Sequence, residues 1–420
     1  MLKSVLGADV VNDLGRACGQ SKRLRVVTPA RLAVTMIGAL AGGAITSIAD
    51  LLREFNYQHR TTVAYKAFYN RLAHKGFPTF MREMVSCMLT ELAMRILTPD
   101  PESPLAKFED IVIQDGTSFA LKETLQGVFP GRFKTVEPAA VELHATYSGL
   151  EDQVTRVFLT PDTDAERHYL PEPDELRNKL LLADRGYPAL PYFKNVHKCG
   201  GAFIMRLSRS WKPYVTAVYH RKRCSILRKP IPLDSFLAQN PNRALDLDAA
   251  FGKGKKRTVF RLIILPGNQP AMTRLCTNLP RDRFSIDTVS KLYRFRWQVE
   301  ICFKEWKSHA NLHAFDTANP HIAEGFIWAS LCAAILKRFL AHAAQVAGNV
   351  PISTQRVAAC VKTFIRDLLG AIDRSPWKLS SVIASSMKFL LKNATRAHPE
   401  RDRTKGRQNI GLALVGGGLK

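Results

Sequence analysis

Apolar positions recur at three- and four-residue spacing through Ser47–Phe55 and Tyr65–Leu72, and again from Phe80 to Leu97 after a His-Lys-Gly-Phe-Pro turn. That period predicts helices, and short helices carrying basic and aromatic residues resemble a helix-turn-helix array. Ahead of them, Leu32 to Ala49 runs 18 residues without a charge, the length of a membrane span. Thr35, Thr46, Ser47 and three glycines interrupt it and no aromatic residue flanks it, so a pair of buried helices is expected and not a span. The pattern then changes. Short apolar runs predict strands at Asp110–Gln114, Ala139–Tyr147, Gln153–Thr160 and Leu180–Ala183, with a charged helix over Leu170–Lys179 crossing between the last two. Further short strands are predicted at Ala202–Leu207, Tyr214–Tyr219 and Arg257–Leu265, separated by the basic loops Arg221–Arg223 and Lys253–Arg257. Helical spacing returns at Ser285 and holds to about Leu391, and the basic, glycine-ended tail from Arg396 to Lys420 is expected to be mobile.

These changes divide the chain into a helical region (1–105), an α/β segment (106–195), a basic β-rich insertion (196–280), a second core segment (281–344) and a helical C-terminal region with its tail (345–420). With 46 % hydrophobic and 23 % charged residues over 420 positions, the composition excludes a mainly disordered or collagen-like chain. A mean hydropathy of −0.11 argues against a polytopic membrane protein. The net charge of +25 points to a polyanion as partner, nucleic acid first. Charge is uneven: residues 106–195 carry 10 basic and 15 acidic residues, whereas 196–280 carry 16 and 3. Carboxylates suit a site for divalent cations, and a Lys/Arg-rich stretch suits a phosphate backbone. The eight cysteines include no CxxC pair, so reduced thiols in a cytosol are expected. His309 and His313 are four apart but have no further ligand nearby to make a metal site.

Asp115 and Asp184 each follow a predicted buried strand, in Asp-Gly-Thr and Asp-Arg-Gly-Tyr. A carboxylate at such a strand end faces a crevice at the sheet edge. The third element is Tyr293 to Lys307, read as a helix. Tyr293, Arg296, Glu300, Lys304 and Lys307 fall three and four residues apart, on one face, with Phe295, Val299, Phe303 and Trp306 left to pack on a sheet. One carboxylate among cations and a phenol suits a metal-and-phosphate face; i,i+4 ion pairs on an exposed helix are the bland alternative.

Tyr-x2-Arg-x3-Glu-x6-Lys, here Tyr293, Arg296, Glu300 and Lys307, resembles the YREK signature of bacterial cut-and-paste transposases of the insertion-sequence-4 class. Cys276-Thr277-Asn278-Leu279-Pro280 is similar to the family's lead-in to that helix. The resemblance spans roughly Asp50 to Leu340. It implies an α/β fold with an RNase H-like catalytic core, interrupted by a β-rich insertion and flanked by helical regions. It also implies a DDE triad of Asp115, Asp184 and Glu300 holding two Mg²⁺ ions, with Mn²⁺ as substitute. Arg296, Lys304 and Lys307 would neutralise phosphate, Tyr293 would position it, and Trp211 is a candidate for stacking a flipped base, beside Tyr214, Tyr219 and Phe251. The expected partners are transposon-end and target DNA and a second protomer in a synaptic homodimer, in a bacterial cytoplasm at the nucleoid and without a membrane. The C-terminal helices are candidates for the protomer contact, and a chain cut before Ser375 is expected to fold. A catalytically inactive or domesticated DNA-binding derivative is the alternative, and the intact triad argues against it. A simple Mg²⁺ nuclease would not need the basic insertion.

Overall fold

The computed structural model describes the chain except residues 44–46, 221–222, 253, 255–256, 268–271, 310–316, 400–406 and 416–420. The basic loops at 221–222 and 253–256 fall largely among these, and so does His313 with the side chain of His309.

The N-terminal region holds six helices: α1 (Leu2–Leu6), α2 (Ala8–Ala17), α3 (Pro29–Gly42), α4 (Ile48–His59), α5 (Tyr65–Leu72) and α6 (Gly76–Glu91). The apolar stretch from Leu32 falls on two helices, with residues 32–42 on buried α3 and Ile48 and Ala49 opening α4. Thr28 caps the N-terminus of α3 by accepting from the Arg31 N–H, and Gly43 ends it at φ 70°. Helix α6 starts and stops earlier than expected, and Leu97 opens a short strand, β1 (Leu97–Pro99).

A ten-stranded sheet follows. It is built from β2 (Asp110–Ala120), β3 (Ala140–Ser148), β4 (Gln153–Pro161), β5 (Lys179–Ala183), β6 (Ala202–Arg206), β7 (Tyr214–His220), β8 (Arg223–Pro232), β9 (Leu245–Phe251), β10 (Thr258–Leu265) and β11 (Thr273–Thr277), in the order β4-β3-β2-β5-β6-β11-β10-β9-β7-β8. Strands β2, β5 and β6 run parallel; the other pairings are antiparallel. The basic stretch thus does not stack as a separate layer: β11 pairs with β6 and extends the same sheet. Helix α7 (Leu190–Lys198) links β5 to β6, and α8 (Leu233–Gln239) follows β8.

The helix expected over Leu170–Lys179 does not form. Pro171 and Pro173 remove two N–H donors, and Asn178 sits at φ 57°. The segment instead makes successive tight turns, with Arg177 N–H donating to Asp174 O and Lys179 N–H to Leu176 O.

Five helices follow the sheet: α9 (Ile286–Phe295), α10 (Trp297–His309), α11 (Pro320–Gly348), α12 (Thr354–Ala371) and α13 (Pro376–Asn393). Leu180 and Leu182 of β5 face one hydrophobic core, shared with the N- and C-terminal helices; Leu181 and Ala183 face the other, under α7. Helix α11 is long and apolar enough to cross a membrane, but 89 % of its apolar window is buried within the protein. It packs on α3, α6, α12 and α13, and it carries buried Lys337, Arg338 and His342.

The tail departs from expectation. Residues 407–415 are ordered, and a last strand, β12 (Leu412–Leu414), pairs antiparallel with β1. Arg407 enters a buried cluster around Asp152, whose carboxylate also receives the Tyr147 hydroxyl and lies 3.4 Å from Arg338. Arg338 Nη1 donates to Glu305 of α10 at 2.6 Å. Leu390 of α13 is fully buried. A chain cut before Ser375 would lose both anchors, so the expectation that it folds requires the rest of the core to hold without them.

Candidate active site

The last parallel pair of β2 and β5 is Gln114 with Ala183, which sets Asp115 and Asp184 side by side one step further on. The period of two turns both carboxylates toward the same face as Ile113 and Leu182, under α9 and α10. Asp115 does not end its strand, as the sequence suggested. Strand β2 continues five residues to Ala120 because Thr117, Ser118 and Phe119 keep pairing with β3.

Tyr293 to Lys307 is not one helix. The chain tightens at Arg296, where Arg296 N–H donates to Tyr293 O at 3.1 Å and Val299 N–H to Arg296 O at 3.2 Å, a 3₁₀-like step between α9 and α10. Val299, Cys302, Phe303 and Trp306 bury the apolar face of α10. Glu300 lies in the first turn of α10, where the helix dipole favours a carboxylate.

The signature side chains meet the two aspartates. One Arg296 nitrogen pairs with Asp115 and the other donates to Glu300 Oε1 at 2.6 Å. The Tyr293 hydroxyl donates to Asp184 Oδ1 at 3.0 Å, and Arg206 lies 3.7 Å from the same oxygen. Lys307 Nζ donates to Ser118 O at 2.8 Å, tying α10 to the extended part of β2. Lys304 is exposed and lies over the Trp297 ring at 4.9 Å. Trp211 is elsewhere: it packs against Phe193 and Phe251, at 5.9 and 5.8 Å between centroids.

Burial pushes the Asp115 carboxyl up to about 7, and the guanidinium of Arg296 offsets only part of that. Three carboxylates supply the oxygen donors that a hard divalent cation prefers. Among the described residues they do not converge as a tight ligand cluster; the guanidinium of Arg296 lies between Asp115 and Glu300. The donor chemistry fits a divalent cation, which would take over the charge balance that Arg296 supplies.

The sequence reading missed a second carboxylate layer behind the sheet. Glu142 of β3 is buried and held by Arg132 at 3.3 Å; burial and the neighbouring Glu166 push it up to about 7. A Cβ on Gly116 would lie 2.4 Å from Glu142 Oε1, and one on Gly186 would lie 1.6 Å from Glu166 Oε2. Both glycines of the aspartate motifs thus let a carboxylate side chain approach the backbone, and a side chain there would make that carboxylate move. The buried Tyr187 hydroxyl, beside Gln114, completes this layer. A lone Glu in an apolar strand next to Leu143 was the only sequence signal for it. Gly116→Ala is expected to lower stability by about 1–3 kcal/mol, because Glu142, buried and paired with Arg132, would have to give up its position. Thermal melting checks this, and an unchanged midpoint would show that Glu142 is free to move.

An α/β sheet that sets two adjacent aspartates against a cation-rich helix is the arrangement the site presents. The chain belongs to the transposase DDE domain family, whose model matches residues 106–336. Its relatives include the transposase for insertion sequence element IS1151 of Clostridium perfringens, 25 % identical over 48 % of this chain and 50 % of that protein. The transposase for IS231B of Bacillus thuringiensis subsp. berliner is 20 % identical over 92 % of this chain and 89 % of its own length. The chain thus spans about half of the first relative and most of the second. Among solved structures, the piggyBac transposase synaptic complex with hairpin DNA is similar in fold, with a TM-score of 0.51 at 11 % identity, covering 97 % of this chain and 83 % of that one.

Proposed function

We propose that the chain is an insertion-sequence transposase of the insertion-sequence-4 class that cuts and joins DNA with Asp115, Asp184 and Glu300 as its triad. The carrying observation is Arg296, which reaches from the α9–α10 junction to Asp115 on β2 and to Glu300 on α10 and so registers helix against sheet. The order β4-β3-β2-β5-β6, three antiparallel strands followed by two parallel ones, supports an RNase H-like core. Residues 207–272 would then be the β-rich insertion, and 1–105 the end-binding region. Exposed Arg53 and Tyr57 on α4, Arg60 at its C-cap, and Tyr65 and Lys66 on α5 suit that role.

Asp115, Asp184 and Glu300 would hold Mg²⁺, as two ions or with Mn²⁺ in its place. When bound, the ions stabilise charge on the attacking and leaving oxygens of an in-line phosphoryl displacement. Tyr293 holds Asp184 in position by its hydroxyl. Arg296, once released from the carboxylates, and exposed Lys304 are the cations nearest the scissile phosphate. Lys307 acts indirectly by fixing α10 to β2. Trp297, 49 % exposed beside Arg296, suits base stacking better than Trp211, whose ring is engaged in the core. The partners are transposon-end DNA, target DNA and a second protomer, in the bacterial cytoplasm at the nucleoid.

DNA binding should be steeply salt-dependent, falling about 10³-fold or more between 50 and 200 mM salt if six or more phosphates are contacted. Gel shifts across a salt series test this, and a flat response would remove the basic surface from DNA binding. The activity is tested by incubating the protein with Mg²⁺ and a duplex carrying the sequence that borders its reading frame. A nick leaving a 3′-hydroxyl supports the reading; binding without any nick supports the inactive derivative.

A further inference from the structure

The C-terminal segment reaches the candidate active site. It is fastened at both ends, by Arg407 in the buried Asp152 cluster and by β12 on β1. Between these anchors Gln408–Ile410 makes a single 3₁₀ turn that ends at Gly411, with φ 80°. A Cβ there would lie 2.8 Å from Ser103 Oγ, so the turn is seated against the β1 side of the protein and does not hang free. Asn409 and Ile410 form one wall of a cavity of about 520 Å³, whose other walls include Tyr293, Arg294, Arg296 and Trp297. That volume lies in the range of ~300–1,000 Å³ typical of small-molecule sites.

The lining suits one nucleotide. Arg294 is exposed and has no ion pair among the described residues, so it is free for a phosphate. The half-exposed Trp297 ring offers a face to a base. The Asn409 amide makes no hydrogen bond among the described residues, and it can donate to and accept from a base edge. We propose that Gln408–Leu414 is a clasp that completes this cavity, and that Asn409 is a specificity residue contacting the base of a transposon-end nucleotide next to the cut. This rests on the transposase reading above and adds a contact from outside the matched DDE region.

The test uses the full-length protein and duplexes carrying the sequence that borders its reading frame, with each of the four base pairs in turn at the terminal position. Wild type should nick one of them preferentially. Asn409→Ala, at an unchanged melting temperature, should nick that one slower by on the order of tenfold, the loss of about one hydrogen bond. It should nick the four at similar rates, with gel-shift affinity within about twofold of wild type. With 4-thiothymidine at the terminal position, photo-crosslinking should mark the tryptic peptide Gln408–Lys420. The proposal is overturned if Asn409→Ala keeps the wild-type preference, or if no adduct falls in that peptide. If wild type neither binds nor nicks any duplex, the transposase reading fails and takes the clasp with it.

Discussion

Asp115→Asn, Asp184→Asn and Glu300→Gln should each lower DNA nicking by at least about 10³-fold, equivalent to ~4 kcal/mol of transition-state stabilisation, while end binding stays within about twofold. The separation follows from where the charges sit. The three carboxylates are grouped with Arg296, Tyr293 and Arg206 at one point of the sheet. The affinity for phosphate comes from a strongly basic chain whose cations are spread well beyond that point. The amide substitutions keep side-chain volume and the hydrogen bonds to Arg296 and Tyr293 in part, so the fold survives. Circular dichroism melting alongside gel shift and nicking assays reads all three quantities. Nicking at the wild-type rate by any one variant would remove that residue from the triad.

Arg338→Ala should destabilise the protein by about 3–5 kcal/mol, the largest stability loss expected of any single substitution described above. Arg338 is buried in the centre of α11 and bridges two carboxylates: Glu305 of α10 at 2.6 Å and Asp152 of the β3–β4 turn at 3.4 Å. It also donates from Nε to the Asp152 backbone oxygen at 2.5 Å. Removing it leaves Asp152 and Glu305 short of a cation in a buried setting. The guanidinium groups of Arg407 and Arg338 outweigh burial and hold the Asp152 carboxyl well below the usual range. A depressed folded-state pKa stabilises above the unfolded value near 4, and that stability is lost as pH falls toward the folded value. The destabilisation by Asp152→Asn should therefore be constant from pH 5 to 8 and shrink below pH 4. Denaturant midpoints across that range check it; a penalty that grows on acidification would contradict the assignment.

The failures of the sequence reading have distinct physical causes. Asp184 was legible because a five-residue apolar strand ends immediately before it. Asp115 was found for a partly wrong reason, since β2 loses its parallel partner there but keeps its antiparallel one, and pairing on one side leaves no mark in the strand's own residues. The helical register of Tyr293 to Lys307 brought the right side chains together although the helix tightens at Arg296. What could not be read were contacts between distant segments. Arg407 lies in a stretch with the composition of a disordered tail, and the distant Asp152 gives it a place. Glu142 looks like an isolated charge until Gly116, 26 positions earlier, is seen to make room for it. Strand β8 was missed because it is mostly exposed and rich in Arg, Lys and Pro, so it lacks the apolar alternation that marks a strand.

On the transposase reading Asp115, Asp184 and Glu300 would act together on DNA with a divalent cation. A nicking assay with wild-type protein and the DNA bordering its reading frame, run in Mg²⁺ and in EDTA, tests it most directly. A 3′-hydroxyl nick at the element boundary is expected in Mg²⁺, with none in EDTA and none with Glu300→Gln under either condition. Wild-type protein that binds this DNA in Mg²⁺ yet leaves every phosphodiester intact would contradict that reading.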